Sequence, residues 1–353
     1  MTQERLQDKT RGSLIGGAIG DAFGYPIEFI FTYKEIVAKY GEGGLVEYDT
    51  SYPWLDDSLP NSEALFSDDT QMTLYTAEGL LEAEKSGAPL MPTIRNAYIA
   101  WFGPQVGMKM QTSYKSELIQ IKDLNQRRAP GNTCLSSLSA IYSGGEPSND
   151  SKGCGGVMRV APIGLFGASH NWPLAKTAGI AGEAAEITHL HPLSTYSSAA
   201  LAVICQICVT TEVVNPNQFK KCVGHALQVV SDVYGENASA MKDFKEIINR
   251  AISFEDNPLQ DWEVIEKNLG GGWVAEETLA IAIFSVLRHI HDFKGCLICA
   301  VNHGGDSDST GAVAGNIIGA ILGNDAIPEY FKDNIQLQDL LLSTADRLLG
   351  NSR

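Results

Sequence analysis

The sequence lacks an apolar run long enough to cross a membrane. A transmembrane helix needs about 18 or more consecutive apolar residues. The nearest run, residues 197–209, is shorter and contains Gln206. Residues 1–12 are polar and charged, unlike the apolar stretch of a signal peptide. These absences predict a cytoplasmic protein with no membrane partner, in which residues 197–209 form a buried helix.

Basic residues are also scarce. The chain has 26 Lys and Arg against 42 Asp and Glu, which gives a formal net charge of −16. A strongly acidic protein repels phosphate backbones, so we expect no nucleic-acid partner. The surplus of carboxylates suits a protein that collects cations, although an ordinary acidic surface explains it equally well. With 353 residues and 44% apolar content, the chain is long enough for a well-buried core.

Cysteine is sparse as well, at seven residues, and in the cytoplasm these thiols stay reduced. Four of them form two C-x-x-C pairs, Cys205 with Cys208 and Cys296 with Cys299. Such pairs can bind zinc. Here 87 residues separate the pairs, and each lies in an apolar run at a spacing that puts both thiols on one helix face. Buried thiols are the favoured interpretation, with zinc as the alternative.

Helical periodicity dominates the chain, and strand-like alternation does not recur. An all-α fold is therefore predicted, with its clearest helices at 68–85, 276–290 and 311–323. The last two are almost free of charge, which is typical of helices in the middle of a bundle. The small residues of 311–323 would let a neighbouring helix approach closely.

Four stretches rich in Gly, Pro, Asn or Ser are predicted to be long loops, and long loops in a compact domain are usually functional. They are residues 41–66, 103–133, 143–157 and 253–272. No linker or internal repeat divides the chain, so residues 1–353 are predicted to form one domain.

The first motif with chemical content is Ser67-Asp68-Asp69-Thr70, directly before a helical pattern. Ser or Asp at a helix start commonly caps free backbone N–H groups. Capping does not require two adjacent carboxylates, which repel one another unless a hard cation lies between them. Taken alone, the motif leaves both interpretations open.

A second motif of the same kind is the HGGDSDST sequence of residues 303–310. Asp306 and Asp308, followed by hydroxyls, supply the oxygen ligands that Mg²⁺ or Mn²⁺ prefers. The calcium-loop pattern that also starts with Asp-x-Asp is absent. Two oxygen-rich helix starts in one chain make a shared metal site more plausible than two coincidental caps.

The glycine-rich run of residues 16–24 does not match either nucleotide-binding glycine motif. It predicts a closely packed helix with small residues on one face. Glu28 follows it, flanked by Ile27 and Phe29. A partly buried carboxylate in that position is a candidate acid or base.

Three further segments carry weaker signals. The glycine-rich loop at residues 152–159 offers backbone N–H groups that can form a nest for a diphosphate. Residues 131–133, Gly-Asn-Thr, are typical of a turn and helix cap. His189 and His191 are poor ligands for a site of hard oxygen donors, so we predict substrate contact or support of the site.

These motifs, taken in order, resemble one family. GGAIGDAFGYPIEF, FSDDTQMTL, PGNTCLSSL, KGCGGVMRVAPIGL, THLHP, GGGWVAEETL and HGGDSDSTGAVAGNIIGA span residues 11–323 and are similar to the ADP-ribosylglycohydrolases. The resemblance implies an all-α orthogonal multi-helix bundle with two divalent cations, Mg²⁺ or Mn²⁺. It also implies a partner protein that carries ADP-ribose on a side chain.

The resemblance assigns roles by motif match. The implied metal ligands are Ser67, Asp68, Asp69, Asp306, Asp308 and Ser309, and the implied catalytic residues are Glu28 and Asp308. The implied substrate contacts are Asn132, Gly153, Cys154, Gly155, Gly156, His189 and Trp273. Ser67 and Ser309 stand where the family usually has Thr. Trp273 stands where relatives often have Tyr, so a phenol contact is lost.

The expected activity is hydrolysis of ADP-ribose from a protein side chain, with ADP-ribosyl-arginine as the favoured linkage and a monomer as the expected state. One alternative is a hydrolase of a serine O-linked ADP-ribose or of another nucleotide-like glycoside. A second alternative is a non-catalytic ADP-ribose binder, or an immunity protein against an ADP-ribosyltransferase toxin. The intact acidic residues favour catalysis.

Overall fold

Two glycine-lined helices, α1 (Gln3–Gly24) and α14 (Ser307–Leu322), pack antiparallel to each other. A Cβ atom on Gly315 would overlap the carbonyl oxygen of Gly16, and one on Gly311 would overlap that of Gly20. The backbones are therefore in direct contact, as both glycine patterns predicted. Because the helices are antiparallel, the end of α1 lies beside the start of α14.

The computed structural model describes residues 1–52, 63–110, 114–235 and 239–350. Within these ranges the chain is all-α, as predicted, and has no strand. Between α1 and α14 come α2 (Tyr33–Tyr40), α3 (Asp68–Ser86), α4 (Leu90–Gln105), α5 (Asn132–Tyr142), α6 (Ala161–Ser169), α7 (Leu174–Glu186), α8 (Pro192–Thr210), α9 (Pro216–Tyr234), α10 (Ser239–Ser253), α11 (Asp261–Val264), α12 (Ala275–Arg288) and α13 (Phe293–Val301). Helices α15 (Glu329–Asp333) and α16 (Gln338–Leu348) follow α14.

The buried apolar side chains form one continuous core that runs from Leu14 to Leu348. Helix α8 lies in this core, which confirms the interpretation of residues 197–209 as a buried helix. Among the described residues it is the one helix with the length and composition to cross a membrane, but 94% of its apolar window is buried inside the protein. It is apolar on all sides because it packs against other helices on all sides.

The predicted loops are mostly irregular, with two differences. Helix α4 extends to Gln105 and α5 begins at Asn132, so the loop predicted at 103–133 is shorter at both ends. The prediction of a loop at 253–272 is wrong in part, because α11 and a π-helical turn at Ile265–Leu269 lie within it. Residues 53–62 and 111–113, within two of the predicted loops, lie outside the described residues.

Candidate functional site

The first carboxylate motif forms the start of α3. Ser67 is its N-cap, and the Ser67 hydroxyl accepts a hydrogen bond from the Asp69 N–H at 3.2 Å. The capping interpretation is therefore correct for Ser67. Asp68 and Asp69 do not cap the helix; both are buried in its first turn, and Asp68 accepts a bond from the Gly131 N–H at 3.3 Å.

The second motif forms the start of α14, where capping fails as an explanation. Asp306 is the N-cap residue, but its side chain accepts no capping hydrogen bond. Instead its Oδ2 atom accepts a bond from the Cys154 thiol, 2.8 Å away. Asp308 accepts a bond from the adjacent Ser309 N–H at 2.9 Å and another from the Ser67 hydroxyl. Both carboxylates are buried.

Glu28 comes from a third element, a 3-10 turn (Tyr25–Ile27) that continues from the end of α1. Since that end lies beside the start of α14, Glu28 meets the second motif. One carboxylate oxygen from each of Glu28, Asp306 and Asp308 lies within 4.8 Å of the other two. The close packing of glycines along α1 and α14 thus determines where these acids meet.

All five carboxylates line one cleft of about 310 Å³. Most of the other predicted site residues line it too: Asn132, Gly153, Cys154, Gly155, His189, Trp273 and Ser309. Ser67 and Gly156 do not. Ser67 is fully buried beneath the acids, and Gly156 lies behind the wall, where a Cβ atom would meet the Ser194 hydroxyl. Sequence reasoning missed Phe29, Met158 and Cys134, which also line the cleft.

The acids strongly disfavour one another's charge. Burial, with the nearby charges of Asp308 and Asp306, raises the pKa of Glu28 to about 12. Burial and then the charge of Asp308 raise the pKa of both Asp68 and Asp69 well above the usual range. Among the described residues, no Lys or Arg forms an ion pair with any of these five groups. The cleft therefore needs a cation from outside the chain to hold all five ionised.

The donor set fits a hard divalent cation. It consists of carboxylate and hydroxyl oxygens, which Mg²⁺ and Mn²⁺ prefer. Two buried oxygens, Oε2 of Glu28 and Oδ2 of Asp69, have no hydrogen-bond partner within the described structure. Buried acceptors without a partner are costly, and a bound cation would satisfy both.

Asp21 supports this centre and was not assigned a role from the sequence. Its carboxylate accepts bonds from the Ser67 N–H (2.8 Å), the Thr70 N–H (2.9 Å) and the Thr70 hydroxyl (2.6 Å). Burial, with the charge of Asp308, raises its pKa to about 7. Asp21 thus attaches the start of α3 to α1. A carboxylate among the glycines in the apolar second half of α1 was the signal that could have found it.

The glycine-rich loop and His189 form another part of the cleft wall. The Thr188 hydroxyl lies 2.8 Å from Nδ1 of His189, so Nε2 is left facing the loop. Burial and the charge of Arg159 lower the pKa of His189 to about 3, so the imidazole is neutral. His191, by contrast, caps α8 and has a structural role.

The prediction of a nest assumed that the N–H groups of this loop are free to bind a ligand. Two of them are not free. The Gly153 N–H donates to the Ser151 hydroxyl at 3.3 Å, and the Cys154 N–H donates to the Trp273 carbonyl at 3.2 Å. These bonds hold the loop against the segment that carries Trp273.

Two further glutamates position the cleft segments. Oε1 of Glu266, in the π-helical turn, accepts bonds from the Tyr33 N–H (2.7 Å) and the Gly304 N–H (3.2 Å). Oε2 of Glu277 accepts bonds from the Gly271 and Gly272 N–H groups. Glu266 thereby joins the segment after Glu28 to the loop before Asp306.

A second acidic cluster is explained without a metal. Oxygen, nitrogen and sulfur atoms of Asp261, His289 and Cys299 lie within 4.8 Å of one another. The two oxygens of Asp261 bond to Arg288 at 2.9 Å and to His289 at 2.8 Å, so the carboxylate is already paired. Within the described ranges, Cys299 is the one cysteine of the two C-x-x-C pairs that belongs to a group of three possible metal ligands. No group contains both thiols of a pair, so the structure gives no support to a zinc site built on them.

Comparison with known proteins identifies the family of this chain. The ADP-ribosylglycohydrolase family profile matches residues 2–353. The chain belongs to the ADP-ribosylglycohydrolase family. It is 25% identical to ADP-ribosyl-[dinitrogen reductase] glycohydrolase of Rhodospirillum rubrum, over 96% of this chain and 94% of the relative. It is 24% identical to ADP-ribosylarginine hydrolase Tri1 of Serratia proteamaculans, over 97% of this chain and 79% of the relative.

A solved structure has the same fold. The chain superposes on an ADP-ribosylglycohydrolase-related protein with a TM-score of 0.68 and 22% identity, covering 99% of this chain and all of that one. This ADP-ribosylglycohydrolase is therefore a hydrolase of ADP-ribosyl linkages with the all-α bundle of its family. The roles assigned to single residues of its cleft stay predictions.

Proposed function

We propose that this ADP-ribosylglycohydrolase cleaves the bond between C1″ of ADP-ribose and a protein side chain, with arginine as the linkage. The observation that carries the proposal is the meeting of five buried carboxylates, from three separate elements, in one cleft that has no Lys or Arg among the described residues that line it. The names of two relatives, ADP-ribosyl-[dinitrogen reductase] glycohydrolase and ADP-ribosylarginine hydrolase Tri1, support the choice of substrate class.

Two divalent cations, Mg²⁺ or Mn²⁺, complete the proposed centre. Asp68, Asp69, Asp306 and Asp308 would hold them, with hydroxyls of Ser67 and Ser309 in support. When bound, they would bind ribose hydroxyls and polarise a water molecule. The candidate substrate contacts Asn132, His189 and Trp273 line the same cleft, where they can contact the diphosphate and a base or ribose of ADP-ribose.

Glu28 is the proposed proton-handling residue. As the water oxygen forms its bond to C1″, Glu28 takes the water proton, and the electrons of the C1″–N bond pass to the leaving guanidine. The transition state resembles an oxocarbenium ion, so the carboxylates around it stabilise positive charge at C1″. Asp308, whose charge follows burial as the largest cause of the raised pKa of Glu28, Asp68 and Asp69, would serve both the metals and this charge.

The test is release of free ADP-ribose from arginine-linked and serine-linked substrates, with Mg²⁺, Mn²⁺ or EDTA. We expect metal-dependent release from the arginine-linked substrate and its loss in Asp306→Ala and Asp308→Ala. The matched control is Asp333→Asn, an exposed acid at the end of α15. Release in EDTA, or full activity in both alanine variants, contradicts the metal mechanism. Release from the serine-linked substrate alone contradicts the arginine linkage. The cytoplasmic location and the monomeric state stay predictions from the sequence.

A further inference from the structure

We infer that an exposed aromatic patch beside the cleft, formed by Phe29, Phe31 and Trp273, binds an apolar stretch of polypeptide next to the ADP-ribosylated side chain. The inference rests on the proposed function, because it names a part of the substrate that lies outside ADP-ribose.

The three rings form a continuous apolar surface. Phe29 is 61% exposed, Phe31 65% and Trp273 38%. The Phe29 and Trp273 rings stack with centroids 6.1 Å apart at 27°, and the Phe31 ring lies 6.4 Å from Trp273. Single exposed apolar residues need no explanation, but adjacent large aromatic rings at a cleft mouth are typical of a recognition surface.

The position of the patch indicates which part of the substrate meets it. Phe29 directly follows Glu28, whose carboxylate lies with Asp306 and Asp308. The patch therefore borders the acidic end of the cleft, where the scissile bond of the proposed reaction lies. The modified side chain, and the polypeptide attached to it, must leave the cleft at this end.

The position of Phe31 allows a contact with polypeptide to be told apart from a contact with ADP-ribose. Phe29 and Trp273 line the cleft, so ADP-ribose itself can contact them. Phe31 is not among the lining residues and extends the surface outward from Trp273. A ligand confined to the cleft leaves Phe31 in water, whereas a polypeptide attached to that ligand can cover it.

The patch is held in place before any ligand binds. The Gly305 N–H donates to the Ile30 carbonyl at 3.3 Å, between the two phenylalanines. Beyond Phe31, Glu266 holds the Tyr33 N–H, and the Tyr33 ring stacks on Trp262 with centroids 4.6 Å apart at 11°. A preorganised aromatic surface binds with a smaller entropy cost than a mobile one.

The experiment compares three substrates that share whichever linkage the wild-type enzyme cleaves. They are the free ADP-ribosyl amino acid, a short peptide with leucines beside the modified residue, and the same peptide with serines there. The variants are Phe31→Ser, Phe31→Leu, which keeps an apolar side chain, and Val214→Ser, an exposed apolar control before α9.

For Phe31→Ser we expect KM for the leucine peptide to rise by about three- to tenfold, since an apolar contact is lost. KM for the free amino acid and for the serine peptide stays unchanged, and kcat stays unchanged for all three. Phe31→Leu and Val214→Ser behave as wild type.

Two outcomes overturn the inference alone: an equal effect of Phe31→Ser on all three substrates, or no effect on any. Concentration-dependent self-association that is lost in Phe31→Ser also overturns it, because the patch is then an interface between copies of this chain. If the wild-type enzyme releases ADP-ribose from none of the substrates, the proposed function fails and the inference falls with it.

Discussion

The thiol of Cys154 donates a hydrogen bond to the carboxylate of Asp306, with Sγ 2.8 Å from Oδ2, although 152 positions separate the two residues. The bond joins the glycine-rich loop to the start of α14. Asp306 is thereby oriented from both sides, since its N–H donates to the Gly271 carbonyl at 2.8 Å. A residue predicted to contact substrate therefore also positions a predicted metal ligand.

We predict that Cys154→Ala raises the Mn²⁺ concentration needed for half-maximal ADP-ribose release by about tenfold, since loss of a partner that orients a ligand weakens metal binding. Cys154→Ser keeps a donor at this position, so its metal requirement should stay within about twofold of wild type. Titration of activity with Mn²⁺ measures both. Equal requirements in the alanine and wild-type enzymes would show that Asp306 needs no such partner.

The acidic cluster predicts a pH-dependent stability for the metal-free enzyme. Burial raises the pKa of Asp21 to about 7, and of Asp68 and Asp69 well above the usual range, so the folded protein keeps protons that the unfolded chain has lost. This contribution is fully present below about pH 4 and is lost as the pH rises through the folded values. In EDTA, the melting temperature should therefore fall by several degrees between pH 5.5 and 8.

Two comparisons isolate the cluster as the cause of that fall. Saturating Mg²⁺ should remove most of it, because the cation offsets the repulsion. Asp308→Asn should raise the melting temperature of the metal-free enzyme at pH 8 and abolish the increase on adding Mg²⁺. Asp333→Asn, on the surface, should change neither. Thermal unfolding at both pH values checks this, and a metal-free Asp308→Asn less stable than wild type would contradict the repulsion.

Local sequence patterns predicted the helices and the two acidic helix starts, whereas the substrate contacts were assigned through the family resemblance. Local patterns report helix starts and apolar faces, so the starts of α3 and α14, with Asp68 and Asp308, could be recognised without coordinates. That both starts meet follows from the glycine contact between α1 and α14 together with the bonds from Asp21 of α1 to the start of α3, and the sequence showed only each glycine pattern separately.

Residues that act through a distant backbone group could not be predicted in this way. Glu266 lies in an ordinary polar stretch, and its partners, Tyr33 and Gly304, are 233 and 38 positions away. The π-helical turn that carries it has no clear sequence signal, which is why 253–272 was predicted to be a loop. The same holds for Ser67, whose buried position beneath the acids depends on how three elements meet.

Glu266 provides a prediction about catalytic geometry. Glu266→Ala removes the acceptor that holds the segment after Glu28 against the loop before Asp306, so we expect kcat to fall by about tenfold. Glu266→Gln keeps an oxygen acceptor and should stay within about threefold. Since Glu266 is exposed, the free energy of unfolding should fall by no more than about 0.5 kcal/mol in either variant. A glutamine variant as impaired as the alanine variant would contradict positioning through these bonds.

A glycine-to-alanine substitution should have opposite effects on stability inside and outside the contact between α1 and α14. A Cβ atom at Gly315 overlaps the Gly16 backbone, which cannot move without separating the helices, so Gly315→Ala should lower the free energy of unfolding by about 1–3 kcal/mol or more. Gly224, on the exposed face of α9, has open space around its Cα atom. Gly224→Ala should therefore raise the free energy of unfolding by about 0.4–1 kcal/mol, since it restricts the unfolded chain. Urea denaturation of the Mg²⁺-saturated enzyme measures both.

Because Glu28 and Asp308 lie at the adjoining ends of α1 and α14, Gly315→Ala should also weaken stabilisation by Mg²⁺, whereas Gly224→Ala should leave it unchanged. A stable Gly315→Ala variant with full Mg²⁺ stabilisation would show that the helix contact does not determine the geometry of the acidic cluster.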